Sequence, residues 1–372
     1  MILPLSKIII IGPAYPLRGG LATFDERLAR QCIAEGHDVK IYTFSLQYPN
    51  FLFPGKTQYS ESAPPEDLSI RVCINSINPL NWWKVAKALD KEQADVILVR
   101  YWLPFMGPCL GSILRWMKKS KTLKIALVDN AIPHEKRMGD GVFTRYFIGA
   151  IDRFVVMSHK VKTDLMSFGV KEILVKEHPL YDNFGQAEDA SEARRKLSLP
   201  EDVKIFLFFG FIRHYKGLDL LIDALQYLEE WNGKYALVIA GEFYAGEDDI
   251  KTKINESSSK DHIILHTHFI KDEDVKLYFS AADWVIQPYR HATQSGVTPL
   301  AYHFEKPMIV TNVGNLPLMV PNGIGIVVQP DPVSIAEGMK ESFSFDFTSF
   351  RKAIGPEKKK YSWETFTKDL FS

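Results

Sequence analysis

Short apolar runs alternate with amphipathic stretches along most of this chain. The runs Lys7–Ile11, Asp38–Phe44, Ile70–Ile74, Val96–Arg100, Lys124–Asp129 and Arg153–Met157 are rich in Val, Ile and aromatics and end in turn residues, which predicts strands. Between them, stretches such as Leu21–Glu35 and Met106–Lys119 carry helical spacing. Strand–helix alternation predicts a parallel sheet covered on both faces. The rhythm pauses at His178–Asp189, around Pro179 and Gly185, and then resumes. The second series predicts strands at Lys204–Phe209, Ala236–Ala240, His262–Thr267, Trp284–Pro288, Met308–Thr311 and Gly325–Val328. Helices fit Gly217–Trp231, Asp272–Ser280, Val297–Phe304, Pro332–Phe343 and a last segment, Trp363–Phe371. The expected fold class is α/β, with two Rossmann-like doubly wound domains facing across a cleft. The expected boundaries are 1–183, 184–355 and a terminal segment 356–372. Open α/β sheets bind ligands on loops that follow their strands.

Composition narrows the class. At 372 residues the chain is long for one core, and with 46% apolar and 24% charged residues nothing in it reads as disordered. The net charge is zero, but residues 1–180 carry an excess of seven cations and the remainder an excess of seven acids. That asymmetry suggests an anionic partner or surface for the first half, or two differently solvated domains. Cys32, Cys73 and Cys109 show no CxxC spacing, so reduced thiols are expected rather than a disulfide framework or zinc site. The apolar run Ile8–Ile11 ends at Gly12-Pro13 and reads as a first strand, not a leader. No unbroken apolar window is long enough for a membrane helix. Nucleic-acid binding has no motif to support it. The expected location is cytoplasmic, with peripheral contact of the basic half at the inner face of an anionic membrane.

Three loops carry candidate chemistry. The first, Gly12 to Gly20, ends in Gly19-Gly20 at a helix start, where backbone amides can face an anion. It lacks the GxGxxG fingerprint and the acidic ribose partner of a dehydrogenase. The second, Phe209-Gly-Phe-Ile-Arg-His-Tyr-Lys-Gly217, sets Arg213 and Lys216 three apart ahead of a helix, with Gly210 on the strand side. Two cations at a helix start suit a diphosphate whose charge must be neutralised as it leaves. The third runs from Tyr289 to Leu300 and presents Gln294, Ser295, Gly296, Val297 and Thr298 at the start of another helix, a second anion cradle.

Together with "FGFIRHYKG", "ATQSGVTPLAYHFEKPMIVTNVGNLP" and the trailing aromatic helix, these loops resemble the retaining family-4 (group 1) glycosyltransferases. The resemblance implies the GT-B fold, a nucleotide-sugar donor in the second domain, an acceptor in the first, and a last helix crossing back to the first domain. It also implies retention and no metal or other cofactor, because side-chain cations take the metal's place at the diphosphate. Arg213 and Lys216 would then bind the leaving diphosphate, and Gly19 and Gly20 would lie under the donor phosphates. Many members carry two Glu in the third loop, where this chain has Ala292 and Leu300. Glu242, after the strand ending at Ala240, is a substitute donor contact or an ordinary surface acid.

A His often found in the family near the reacting carbon is also replaced. Asp129 or Asn130 stands in its place, followed by His134-Glu135. Asp129 is the candidate for a catalytic role, and Asn130, His134 and Glu135 for acceptor hydroxyls, with loop capping the alternative. Tyr101 and Trp102, after a strand end, are candidates for stacking on an acceptor sugar or contacting lipid, or are core. Trp82-Trp83 are candidates to extend that surface, and the cations Arg115, Lys118, Lys119, Lys121 and Lys124 surround Leu114, Trp116 and Met117. No DxD motif or ligand cluster calls for a metal, and Asp248-Asp249 reads as solvated loop. The expected activity is transfer of a sugar from a nucleotide-sugar to a glycan or lipid-linked acceptor. The rivals are a non-catalytic sugar-nucleotide-binding or scaffold subunit, and a GT-B-fold epimerase.

Overall fold

Each predicted apolar run becomes a parallel strand in a computed structural model that describes residues 5–49, 58–60, 63–118, 121–133, 138–292 and 295–371. The chain divides into two compact units, Met1–His178 with Trp363–Ser372, and Pro179–Ser362.

In the first unit the strands are β1 (Lys7–Ile11), β2 (Asp38–Leu46), β3 (Ile70–Asn75), β4 (Val96–Tyr101), β5 (Leu123–Val128), β6 (Arg153–Val156) and β7 (Ile173–Val175). The helices between them are α1 (Gly20–Ala34), α2 (Pro79–Glu92), α3 (Gly107–Trp116), α4 (Asp140–Ile148) and α5 (His159–Ser167). The strand order is β3-β2-β1-β4-β5-β6-β7. β1 and β4 lie side by side with Ile9 opposite Ile97, and their apolar residues are buried on both faces. Such strands read as continuous rather than alternating apolar runs. Helix starts are capped where Asn78 accepts from the Leu80 and Asn81 amides and Ser158 from the Val161 amide.

In the second unit α6 (Ala190–Lys196) precedes β8 (Lys204–Phe209), and α7 (Leu218–Leu225), β9 (Tyr235–Ala240), α8 (Glu247–Glu256), β10 (Ile263–His266), α9 (Asp272–Ala281) and β11 (Trp284–Gln287) follow. Then come α10 (Val297–His303), β12 (Met308–Thr311), α11 (Leu316–Met319), β13 (Gly325–Val328), α12 (Pro332–Glu341) and α13 (Phe347–Lys360). The order is β10-β9-β8-β11-β12-β13. In both sheets the strand order reverses beside the unit's first strand. Loops after β1, β4, β8 and β11 therefore lie at the switch points, where open α/β sheets place ligands.

Three expectations differ from the structure. β7 was not foreseen, because Ile173–Val175 is too short to show a period. Asp248-Asp249 belongs to the first turn of α8, where acids suit the helix dipole, not to a loop. The expected segment start at 356 falls inside α13, which carries Pro356 and stays on the second unit through buried Phe350 and Ile354. The last helix, α14 (Trp363–Thr367), belongs to the first unit. Its Trp363 and Phe366 rings lie 5.0 and 5.7 Å from Phe24 of α1.

Candidate active site

The loop after β8 is held open toward a ligand by its own backbone. The Ile212 amide donates to Glu242 and the Tyr244 amide to Ile212, at 2.9 and 3.0 Å, so the β8 and β9 loops are zipped together. Gly217 closes the loop at φ 67°, and a Cβ there would sit 2.0 Å from the Pro288 carbonyl oxygen, so glycine alone permits the approach of the β11 loop. The Arg290 guanidinium fork binds Asp219 at 2.6 Å on both arms, and the Arg290 amide donates to Tyr215 at 2.8 Å, which ties the same two loops again.

Within this frame Arg213 is exposed, with its guanidinium carbon 3.9 Å from the Tyr244 ring centroid. Lys216 is only 8% exposed, and its Nζ faces the Phe209 carbonyl at 3.4 Å and the Tyr289 ring at 5.9 Å. Among the described residues no carboxylate pairs with it. Burial, with Arg213 adding repulsion, lowers its pKa to about 8.

The cradle after β11 is built on a buried amide. Gln287 Oε1 accepts from Ser295 Oγ at 2.6 Å and Thr298 Oγ1 at 3.0 Å, and Ser295 Oγ accepts from the Val297 amide at 3.2 Å. Gly314 passes beneath at φ 54°, where a Cβ would stand 1.6 Å from the Ala292 carbonyl oxygen. Of the residues expected to form this anion cradle, Val297 gives its amide to Ser295 Oγ inside the loop. Val297, Thr298 and Ser295 are buried, and they shape the loop while exposed Gly296 faces outward. Gln294 lies outside the described residues. The Gly210 N–H donates to the Ala240 carbonyl at 2.9 Å. Glu242 is exposed beside Gly210 and Phe211 on a cavity of about 150 Å³ that Phe184, Phe269 and Leu300 help to line.

In the first unit Gly19 and Gly20 are exposed at the start of α1, which has no side-chain cap and no acid in its first turn. Asp129 is committed inward. Its carboxylate takes the Arg100 fork at 2.5 and 2.6 Å, and Arg100 also reaches Asp25 at 3.3 Å while lying over the Phe24 ring. Burial drives Asp25 up to about 8 against the pull of Arg100, and it raises Asp129 as well, with Arg100 again pulling down. Tyr101 and Trp102 are corrected as acceptor contacts because both are core. Tyr101 stacks on Phe147 at 4.1 Å and bonds Thr144, and Trp102 donates to the Tyr48 hydroxyl and meets Phe44 edge-on. Tyr101 still pairs with Val128 in the sheet, so the strand does not end where exposure was expected. Asn130 is exposed at the end of β5, and His134 and Glu135 lie outside the described residues. Sequence reasoning missed Gln287, Asp25, Arg100 and the Arg290–Asp219 clamp. Of these, Arg100 carried a signal, a charge closing the apolar run Val96–Arg100.

A family model described as Glycosyl transferases group 1 matches residues 189–360, and one described as Glycosyltransferase Family 4 matches residues 18–176. The chain belongs to the group 1 glycosyltransferases. It is 24% identical to an uncharacterized glycosyltransferase of Methanocaldococcus jannaschii over 98% of this chain and 96% of that protein. It is 23% identical to the D-inositol 3-phosphate glycosyltransferase of Streptomyces avermitilis over 93% of this chain and 81% of that one. Among solved structures, Anabaena HepE in complex with UDP superposes with a TM-score of 0.71 at 14% identity, covering 98% of each chain. Sucrose-phosphate synthase from Thermosynechococcus elongatus has a TM-score of 0.71 at 17% identity, covering 98% of this chain and 97% of that one.

Proposed function

We propose that this glycosyltransferase takes its sugar from a nucleotide-sugar whose diphosphate is held by Arg213 and Lys216, and passes it with retention to a glycan or lipid-linked acceptor. The observation that carries this reading is Lys216, a buried ammonium 3.4 Å from a carbonyl and without a carboxylate partner among the described residues. As the anomeric C–O bond breaks, charge collects on the departing phosphate oxygen, and a fixed cation stabilises that state more than the bound donor. The exposed amide side of Gly296 adds a second contact to the phosphates. The acceptor hydroxyl attacks from the face the leaving group occupies, and its proton passes to the phosphate oxygen. Two side-chain cations supply the charge that a divalent metal supplies elsewhere, so the reaction is expected to run without metal. HepE, whose fold this chain shares, has been captured with UDP-glucose, which makes a uridine donor the first to try.

Titrating the protein with UDP-, GDP- and ADP-sugars and following release of nucleoside diphosphate tests this. One donor should bind and be slowly hydrolysed, and turnover should survive EDTA. Binding with no turnover for any acceptor supports the scaffold reading instead. Loss of activity in EDTA, restored by manganese or magnesium, contradicts metal independence.

A further inference from the structure

α2 opens with apolar side chains that the core does not use. Ile77, just before it, is 50% exposed, Leu80 75% and Trp83 53%, while Val85, Ala86 and Leu89 of the same helix are buried. Trp116, at the end of α3, is 40% exposed, and its ring lies 6.4 Å from that of half-buried Trp82. Ile77, Leu80 and Trp83, three residues apart, therefore present an apolar ridge at the start of α2, and Trp116 adds an exposed ring at the end of α3. Lysines accompany it: Lys84, Lys87 and Lys91 on α2 and Lys118 just after α3, whereas Arg115 folds back on α4 and donates to the Gly111 and Tyr146 carbonyls. The Lys87 ammonium lies 5.8 Å from the Trp83 ring centroid. Residues 103–124 contain no acid at all, and residues 76–91 contain only Asp90, whose carboxylate accepts the Lys118 backbone N–H at 2.9 Å.

We propose that this ridge docks the first unit on an anionic lipid bilayer. Leu80 and Trp83 enter the headgroup boundary, and the lysines meet lipid phosphates. Trp beside Leu, rimmed by charge of one sign, matches the interface of a membrane. Protein–protein interfaces are depleted in lysine, and this ridge is lined with it. The apolar part comes from α2 and Trp116. Leu114 and Met117, which the sequence pattern set among the same cations, are buried. The inference stands apart from the sugar chemistry.

Flotation of the full chain with vesicles tests it, comparing phosphatidylcholine alone with phosphatidylcholine rich in phosphatidylglycerol. The protein should float with the anionic vesicles and release in high salt. Lys84→Gln with Lys87→Gln should weaken binding on the order of tenfold, since each surface cation contributes roughly fivefold. Leu80→Ser with Trp83→Ser should weaken it at least as much. Thermal midpoints should not move, because these side chains are exposed, which separates lost docking from lost folding. Equal flotation with neutral vesicles, unchanged flotation of both variants, or no flotation of the wild type would each overturn the proposal. So would a concentration-dependent dimer that Leu80→Ser dissolves, which would assign the ridge to a second copy of the chain.

Discussion

Lys216 carries its charge where its surroundings resist it, and that tension makes it testable. Lys216→Met should lower kcat on the order of 10²–10³, the loss expected when one preorganised charge is removed. The thermal midpoint should hold or rise, because a desolvated cation without a carboxylate partner is replaced by an apolar side chain of similar length. The depressed pKa also predicts a pH dependence. With its pKa at about 8, Lys216 loses its proton above that pH, so nucleoside diphosphate should bind more weakly as pH rises from 7 toward 9.5. Isothermal titration should show this decline in the wild type and its absence in Lys216→Met. In the first unit Asp25 and Asp129 should behave differently. Asp129→Asn strips the counter-charge from buried Arg100 and should cost about 3–5 kcal/mol, whereas Asp25→Asn should be nearly neutral below about pH 4 and stabilising at pH 7, where the unfolded acid is ionised and the folded one is not. Because the folded Asp25 binds a proton up to about pH 8, its contribution to stability fades as pH rises from about 4 through 8. Asp25→Asn should flatten that part of the stability–pH profile in denaturant melts. A catalytic Asp129 would instead lose activity in Asp129→Asn with its melting unchanged.

The elements around the site work through backbone fit. Gly314→Ala drives a methyl into the Ala292 carbonyl from 1.6 Å, so the cradle after β11 must shift, and donor KM should rise at least about tenfold. Gln287→Leu leaves the Ser295 and Thr298 hydroxyls without their shared acceptor, which should cost about 1–3 kcal/mol and loosen the same loop. Calorimetry and donor kinetics on the two variants check both. These partnerships also show where sequence stops informing. Arg213 and Lys216 were legible because two cations between glycines are unusual after an apolar strand. Gln287 was not, because one polar residue at the end of Trp284–Gln287 does not disturb the strand pattern. Tyr101 and Trp102 were misplaced for a related reason. Periodicity marks a strand but not how far its neighbours extend, and β5 carries pairing on to Val128.

For the whole molecule, the two sheets were legible because long βα repeats leave strong periods, and the strand order follows once each first strand becomes the switch point. The extent of α13 and the Trp363 anchor depend on tertiary packing that no local pattern reports. Family membership gives glycosyl transfer, and which of this chain's own residues carry the chemistry is the separate question. The most direct test is therefore the rate of nucleoside diphosphate release from the nucleotide-sugar that binds, measured for wild type, Arg213→Ala and Lys216→Ala at saturating donor. Both variants should remain folded and bind donor within about tenfold of wild type, while release slows on the order of 10²–10³. Release within a few-fold of wild type in both variants would contradict the assignment of the departing diphosphate to Arg213 and Lys216.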